Sequence, residues 1–179
     1  MTPGTAGRHA VAVSGAGPPT SGTYKTRPPA AGDRGVMEND STPVRFPTKV
    51  VVLLRDDLEG WQALNVTAFL SGAVTAAVPE LVGEPYADAD GTGYLPMLGQ
   101  PILVMQGSKE VLTAARERAN ARGLPLAVFT KDLFATGNDA DNRAAVAAVA
   151  AADLDLVGLA VHGPRNGVDK VCKGARMHP

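Results

Sequence analysis

The chain has a single cysteine, Cys172, among 179 residues. One thiol can build neither an intramolecular disulfide framework nor a zinc site of several thiolates, and it fits a reducing compartment, so the cytoplasm is the expected location. Aromatic residues make up only 4% of the sequence, against 45% hydrophobic residues overall. The interior must therefore be assembled from Ala, Val and Leu, which suits helices packed on a sheet. An excess of one charge is lacking too, since 17 basic and 18 acidic residues leave a net charge of −1. No global field draws the chain to phosphate backbones, so nucleic-acid binding would need a local basic patch. No apolar run approaches the ~18 residues of a membrane span, and no basic segment leads into an apolar one at the N-terminus. Neither an export signal nor a membrane partner is expected. The histidines, His9, His162 and His178, are widely separated and give no metal-ligand spacing, so no metal and no cofactor is expected. A glycine-rich phosphate loop and a Gly-x-Ser-x-Gly elbow are absent.

What is present divides the chain in two. Residues 1–47 hold seven prolines and seven glycines mixed with Ser, Thr and Ala, without a sustained period of two or 3.6. Such a stretch cannot bury enough apolar surface to order itself and reads as a disordered N-terminal extension. Met37 lies within it and opens an ordinary short leader, Met37-Glu-Asn-Asp-Ser-Thr-Pro43, so translation is expected to start there and residues 1–36 to be a mis-assigned start. Residues 48–178 have the length of one domain.

Within that domain strand and helix patterns alternate. Val50-Val-Val-Leu-Leu54 is a continuous aliphatic run, the mark of a strand buried on both faces. Apolar residues then recur at helical spacing from Trp61 to Val78, and Pro79 ends that helix. Asp90-Gly91 suits a type I′ turn between Tyr86 and Tyr94. Ile102–Met105 reads as a second strand, followed by an amphipathic helix from Lys109 to Arg122 with Ser108 as N-cap and Gly123 at the C-cap. Leu126–Phe129 is a third strand, Asn142–Ala152 an alanine-rich helix, Leu156–Val161 a fourth strand, and a short helix begins near Val168. The expected fold is a single α/β domain with a small sheet of about four strands covered by helices.

Two separated segments carry a resemblance. Val51-Val-Leu-Leu-Arg-Asp-Asp-Leu58 with the long small-residue helix after it is similar to the opening of type-two peptidyl-tRNA hydrolases. Ser108–Leu112, Arg122-Gly-Leu-Pro125, and Leu156-Val-Gly-Leu-Ala-Val-His-Gly-Pro164 with Val168-Asp-Lys-Val171 resemble that family's distal half. Trp61–Phe69, Gly91–Met97, Phe134-Ala-Thr-Gly137 and Val168–Arg176 look closer still to a related bacterial domain family of unknown function. The resemblance implies a mixed sheet of the type-two peptidyl-tRNA hydrolase kind. Those hydrolases open the first helix with a Gly-Lys pair, where this chain has Gln62-Ala-Leu-Asn65 and no lysine. In place of their Asp-Ala-Gly-x-Thr loop stands Lys131-Asp-Leu-Phe-Ala-Thr136, in which the resemblance implies Asp132 and Thr136 as replacements for the aspartate and threonine at a changed spacing.

The candidate catalytic residues are accordingly Lys131, Asp132 and Thr136, as base or electrostatic clamp and as nucleophile or donor; the alternative is a surface ion pair in a tight connection. Gln62 and Asn65 either bind substrate near the carboxyl ends of the strands, where open α/β sheets take ligands, or cap the first helical turn. Trp61 either walls a pocket or anchors the helix start on the sheet. Arg165 and Lys170, with Lys173 and Arg176, either hold phosphate or suit the dipole of the last helix. Asp88, Asp90 and Thr92 have a calcium-like alternation without the required glutamate, so a hairpin turn is expected there. Lysines flanking Cys172 would lower its pKa, whereas a buried helical cysteine would be inert. Three functions remain open: hydrolysis of an acyl or amide linkage, small-molecule binding without catalysis, and RNA binding with tRNA as a partner. A homodimer is the default assembly.

Overall fold

Val50 to Leu54 are each 2% exposed or less. Five consecutive buried side chains require a strand with cover on both faces. The computed structural model describes residues 44–179; the expected start at Met37 and the extension up to residue 43 lie outside the described residues. In chain order the elements are β1 (Thr48–Arg55), α1 (Gly60–Ala77), β2 (Tyr86–Ala87), β3 (Gly93–Tyr94), β4 (Ile102–Gly107), α2 (Lys109–Asn120), β5 (Leu126–Thr130), α3 (Asp139–Ala147), β6 (Leu156–Pro164), α4 (Arg165–Val171) and β7 (Arg176–Met177).

The main sheet has the order β5-β6-β1-β4-β7. β1 pairs in parallel with β4, and β6 runs antiparallel to both β1 and β5. β1, β4 and β5 therefore point the same way, and their carboxyl ends share one end of the sheet. Five strands replace the four expected. β7 is only two residues long and is held by its register with Met105 and Gln106, so it has no apolar run to announce it.

Side chains along β1 alternate between two cores, as the period of two demands. Val50, Val52 and Leu54 face α1, whereas Val51 and Leu53 face α2 and α4. α1 starts where the Gln62 Oε1 atom accepts the backbone N–H of Glu59 at 3.0 Å. Val66, Leu70, Val74 and Val78, four residues apart, form its buried row. Each such side chain contributes roughly 1.5–3 kcal/mol by leaving water. Gly158 lets this row lie directly on β6, because a Cβ there would collide with Val66 and Leu70. On the other face α2 buries Leu112, Ala115 and Ala119, and Arg116, only 8% exposed, reaches the Ala151 carbonyl.

Helix ends deviate from the sequence expectations for local reasons. α2 stops at Asn120 rather than Arg122, ahead of the left-handed Gly123, and the Ser108 hydroxyl donates to Glu110 instead of capping. α3 begins at Asp139 rather than Asn142, because Asn138 accepts the Asp141 N–H at 3.0 Å. β6 continues to Pro164, past the expected end at Val161, and α4 follows at once from Arg165. The β2–β3 turn spans Asp88 to Thr92 and is held by the Asp88 carboxylate, which accepts from the N–H groups of Asp90 and Thr92 and from the Tyr94 hydroxyl. The Thr92 bond and the others hold the Asp88 pKa below its ordinary value. None of the described helices is long and apolar enough to cross a membrane.

Candidate functional site

Trp61, Asn65 and Phe69 recur every four residues and so occupy one row of α1, beside the buried row and on the side of β5. Phe129, near the end of β5, faces the same way. A 3₁₀ turn over Lys131–Ala135 adds Leu133 and Phe134, and the segment from Thr136 into the first turn of α3 adds Gly137, Asn138, Asp139 and Asn142. Together these residues line a cleft of about 410 Å³ beyond the carboxyl end of β5.

Rings form its apolar wall. Trp61 stands edge-on to Phe134 with centroids 5.5 Å apart, Phe134 packs on Phe129 at 5.2 Å, and Phe129 meets Phe69 at 5.8 Å. Such pairs add roughly 0.5–1.5 kcal/mol each beyond area burial and fix the wall's shape. Trp61 keeps 57% of its surface exposed, and its indole N–H donates to Glu59 at 2.7 Å. It therefore walls the cleft, and its hydrogen bond ties it to the residue before the helix rather than to the sheet. The opposite wall is polar. The Thr136 hydroxyl donates to the Leu133 carbonyl at 2.8 Å and is hydrogen-bonded to the Asn142 carboxamide. Asp139, the one ionisable residue of the lining, pairs with Arg143.

The candidate residues from sequence divide accordingly. Trp61, Asn65 and Thr136 meet at the cleft. Gln62 caps α1 instead. Lys131 and Asp132 are exposed on the 3₁₀ turn and do not line the cleft. Arg165 is tied through its N–H and guanidinium to the carbonyls of Pro47 and Phe46, and Asp169 beside Lys170 pairs with Lys49. Both basic residues thus belong to the end of the sheet where β1 begins, away from the cleft. Phe69, Phe129, Phe134 and Asn142 were not singled out from sequence; the four-residue spacing of Trp61, Asn65 and Phe69 was the signal available for the first.

At the carboxyl ends of β1 and β4 ion-paired residues line a second cleft of about 310 Å³. Arg55 donates to Asp57 at 2.6 Å and to Asp155 at 2.8 Å, and Lys109 meets Asp155 at 2.8 Å. Burial opposes the charge on Arg55, but its bonds to Asp57 and Asp155 outweigh this and raise its pKa. The Lys109 bond, against some desolvation and with help from Arg55, lowers the Asp155 pKa. Cys172 is buried, and desolvation, reinforced by Asp169, pushes its thiol up to about 11. The flanking lysines do not activate it. Among the described residues no group of three His, Cys, Asp or Glu side chains could hold a metal ion.

Comparison with known proteins follows the same boundaries. The family described as protein of unknown function DUF2000 matches residues 48–179. The chain belongs to the DUF2000 family. This DUF2000 domain is also similar to a solved structure, a protein of unknown function from Agrobacterium tumefaciens strain C58, at 41% identity and a TM-score of 0.74. The likeness covers 75% of this chain and 100% of the other. No curated protein matches.

Proposed function

We propose that the protein binds a small, neutral or cationic molecule with a flat ring in the cleft between α1 and the Leu133–Asn142 segment. The observation that carries this reading is the gathering of four of the chain's eight aromatic rings, Trp61, Phe69, Phe129 and Phe134, around one opening. Mostly apolar pockets with a few placed polar groups are the usual form of small-molecule sites. Asn65, Asn142 and Thr136 supply carboxamide and hydroxyl partners, which suits an amide-bearing ring. The lining has no Lys, Arg or His, so nothing in it offsets an anionic charge, while ring faces attract cations.

Trp61 is the only tryptophan and reports directly on occupancy. Nicotinamide should change its fluorescence saturably, with affinity about ten-fold weaker for the isosteric anion nicotinate and about ten-fold weaker for Asn65→Ala, each a loss near 1.4 kcal/mol. Equal responses to the neutral and anionic probes, or none to either, would sink the proposal.

A second reading, hydrolysis of an acyl or amide linkage, is favoured by one observation: Thr136 lines the cleft with Lys131 and Asp132 on the turn just before it. Its resemblance to type-two peptidyl-tRNA hydrolases makes peptidyl-tRNA the substrate to try. Turnover that disappears in both Thr136→Ala and Lys131→Ala would replace the binding reading with this one.

A further inference from the structure

The row of α1 that lines the cleft, Trp61, Asn65 and Phe69, continues with Ala73 and Ala77 at the same spacing of four. On β5 the period of two puts Ala127 on the face of Phe129. Large side chains fill one end of this seam between helix and strand, where Phe69 meets Phe129 at 5.8 Å. Small ones leave the other end hollow. Ala73, Val74, Ala77 and Val78 of α1, the Pro125–Ala127 segment and His162 of β6 line a pocket of about 420 Å³, close to the 410 Å³ of the aromatic cleft. Val74 and Val78 are buried at its floor, and Ala73, Ala77 and Pro125 are exposed at its rim.

His162 is the one residue of this lining with a polar side chain. It is the antiparallel partner of Val50, a member of the α1-side core, so its ring stands on the α1 face of the sheet. Its Nε2 atom is buried and has no hydrogen-bond partner among the described residues. A buried nitrogen left unpaired costs free energy and calls for a group to meet it.

We propose that this pocket binds a compact, uncharged aliphatic molecule that carries a hydroxyl group. Its volume falls in the range of roughly 300–1,000 Å³ usual for small-molecule sites. Nothing in the lining offsets a charge of either sign, and removing an unpaired charge from water there is unfavourable. Apart from the imidazole the walls are aliphatic, so they offer many methyl contacts and no aromatic carbon ring to stack on. A hydroxyl both donates and accepts, so it pairs with the imidazole whichever ring nitrogen holds the proton. None of these residues lines the aromatic cleft.

Cyclohexanol is the probe, titrated into the full chain while the alanine methyl and tryptophan indole signals are followed by NMR. It should shift the Ala73, Ala77 and Ala127 methyls saturably and leave the Trp61 indole in place. Cyclohexylamine, cationic at neutral pH, should bind at least about ten-fold more weakly. His162→Phe should weaken cyclohexanol about ten-fold, whereas His162→Gln, which keeps a donor and an acceptor, should stay within about three-fold of the wild type. Ala73→Leu and Ala77→Leu combined should fill the pocket and abolish the shift at Ala127, with leucine keeping the helix. Circular dichroism of each variant shows whether it is folded. Four results overturn the proposal: no saturable shift at the three alanines, which leaves water as the occupant; equal binding of alcohol and ammonium; unchanged affinity in folded His162→Phe; or binding that survives in the folded double leucine variant.

Discussion

α1 covers one face of the sheet and α2, beside the short α4, the other, and the two long helices treat water differently. α2 has five charged residues among twelve and one buried side built from Leu112, Ala115 and Ala119. α1 has none among eighteen, and each of its rows has a separate task. Val66, Leu70 and Val74 hold the sheet, Trp61, Asn65 and Phe69 face the cleft, and Leu64 and Ala68 face outward. An amphipathic helix such as α2 is explained by its own domain. The outer surface of α1, uncharged and exposed, is not accounted for by packing within the described residues.

If the contrast lies only in the outward faces, the inward faces should be equivalent. Leu70 is 2% and Leu112 0% exposed, on opposite sides of the sheet. Leu70→Ala and Leu112→Ala should each cost about 2–5 kcal/mol in urea unfolding, since both remove buried methyl groups and leave a cavity. A cost at Leu70 below 1 kcal/mol, roughly that of a surface change, would mean that α1 is loosely held and that the comparison fails.

A smaller effect sharpens the α2 side. Asp155 joins Arg55 at the end of β1 to Lys109 at the start of α2. Asp155→Asn should destabilise the domain by about 1 kcal/mol, a charged-group hydrogen bond discounted for partial exposure. The sign with pH follows from the lowered pKa of Asp155. Its contribution is complete above the unfolded value of about 4 and is lost as pH falls through the lower folded value. The variant should therefore lose less stability than the wild type on acidification below about pH 4, as read by thermal melts across that range. Parallel acid profiles for the two proteins would remove Asp155 from the account.

Much of the architecture was legible because burial writes a pattern. The run at Val50–Leu54 and the helical period from Trp61 to Val78 each reflect a neighbour that must be covered, and Pro79 stops α1 where the ring forbids continuation. β7 was not legible, because two exposed residues paired to an edge have no such pattern. The start of α3 turned on a single side-chain bond at Asn138, which the period alone does not encode, and α2 ended two residues early, ahead of the left-handed Gly123. Of the candidates named from sequence, Trp61, Asn65 and Thr136 line the cleft, and one helical row brings the first two together. Lys131 and Asp132 stand apart from the cleft because the 3₁₀ turn directs Leu133 and Phe134 inward in their place.

The cleft's inner wall rests on β5, and β5 has a ladder on one side only. Phe129 and the turn that carries Phe134 are therefore attached to an edge strand, whereas β1 is paired on both edges and covered on both faces. Local openings of an edge need less free energy than global unfolding. Amide exchange along β5 should accordingly be faster than along β1, which would make the width of the cleft depend on the edge of the sheet.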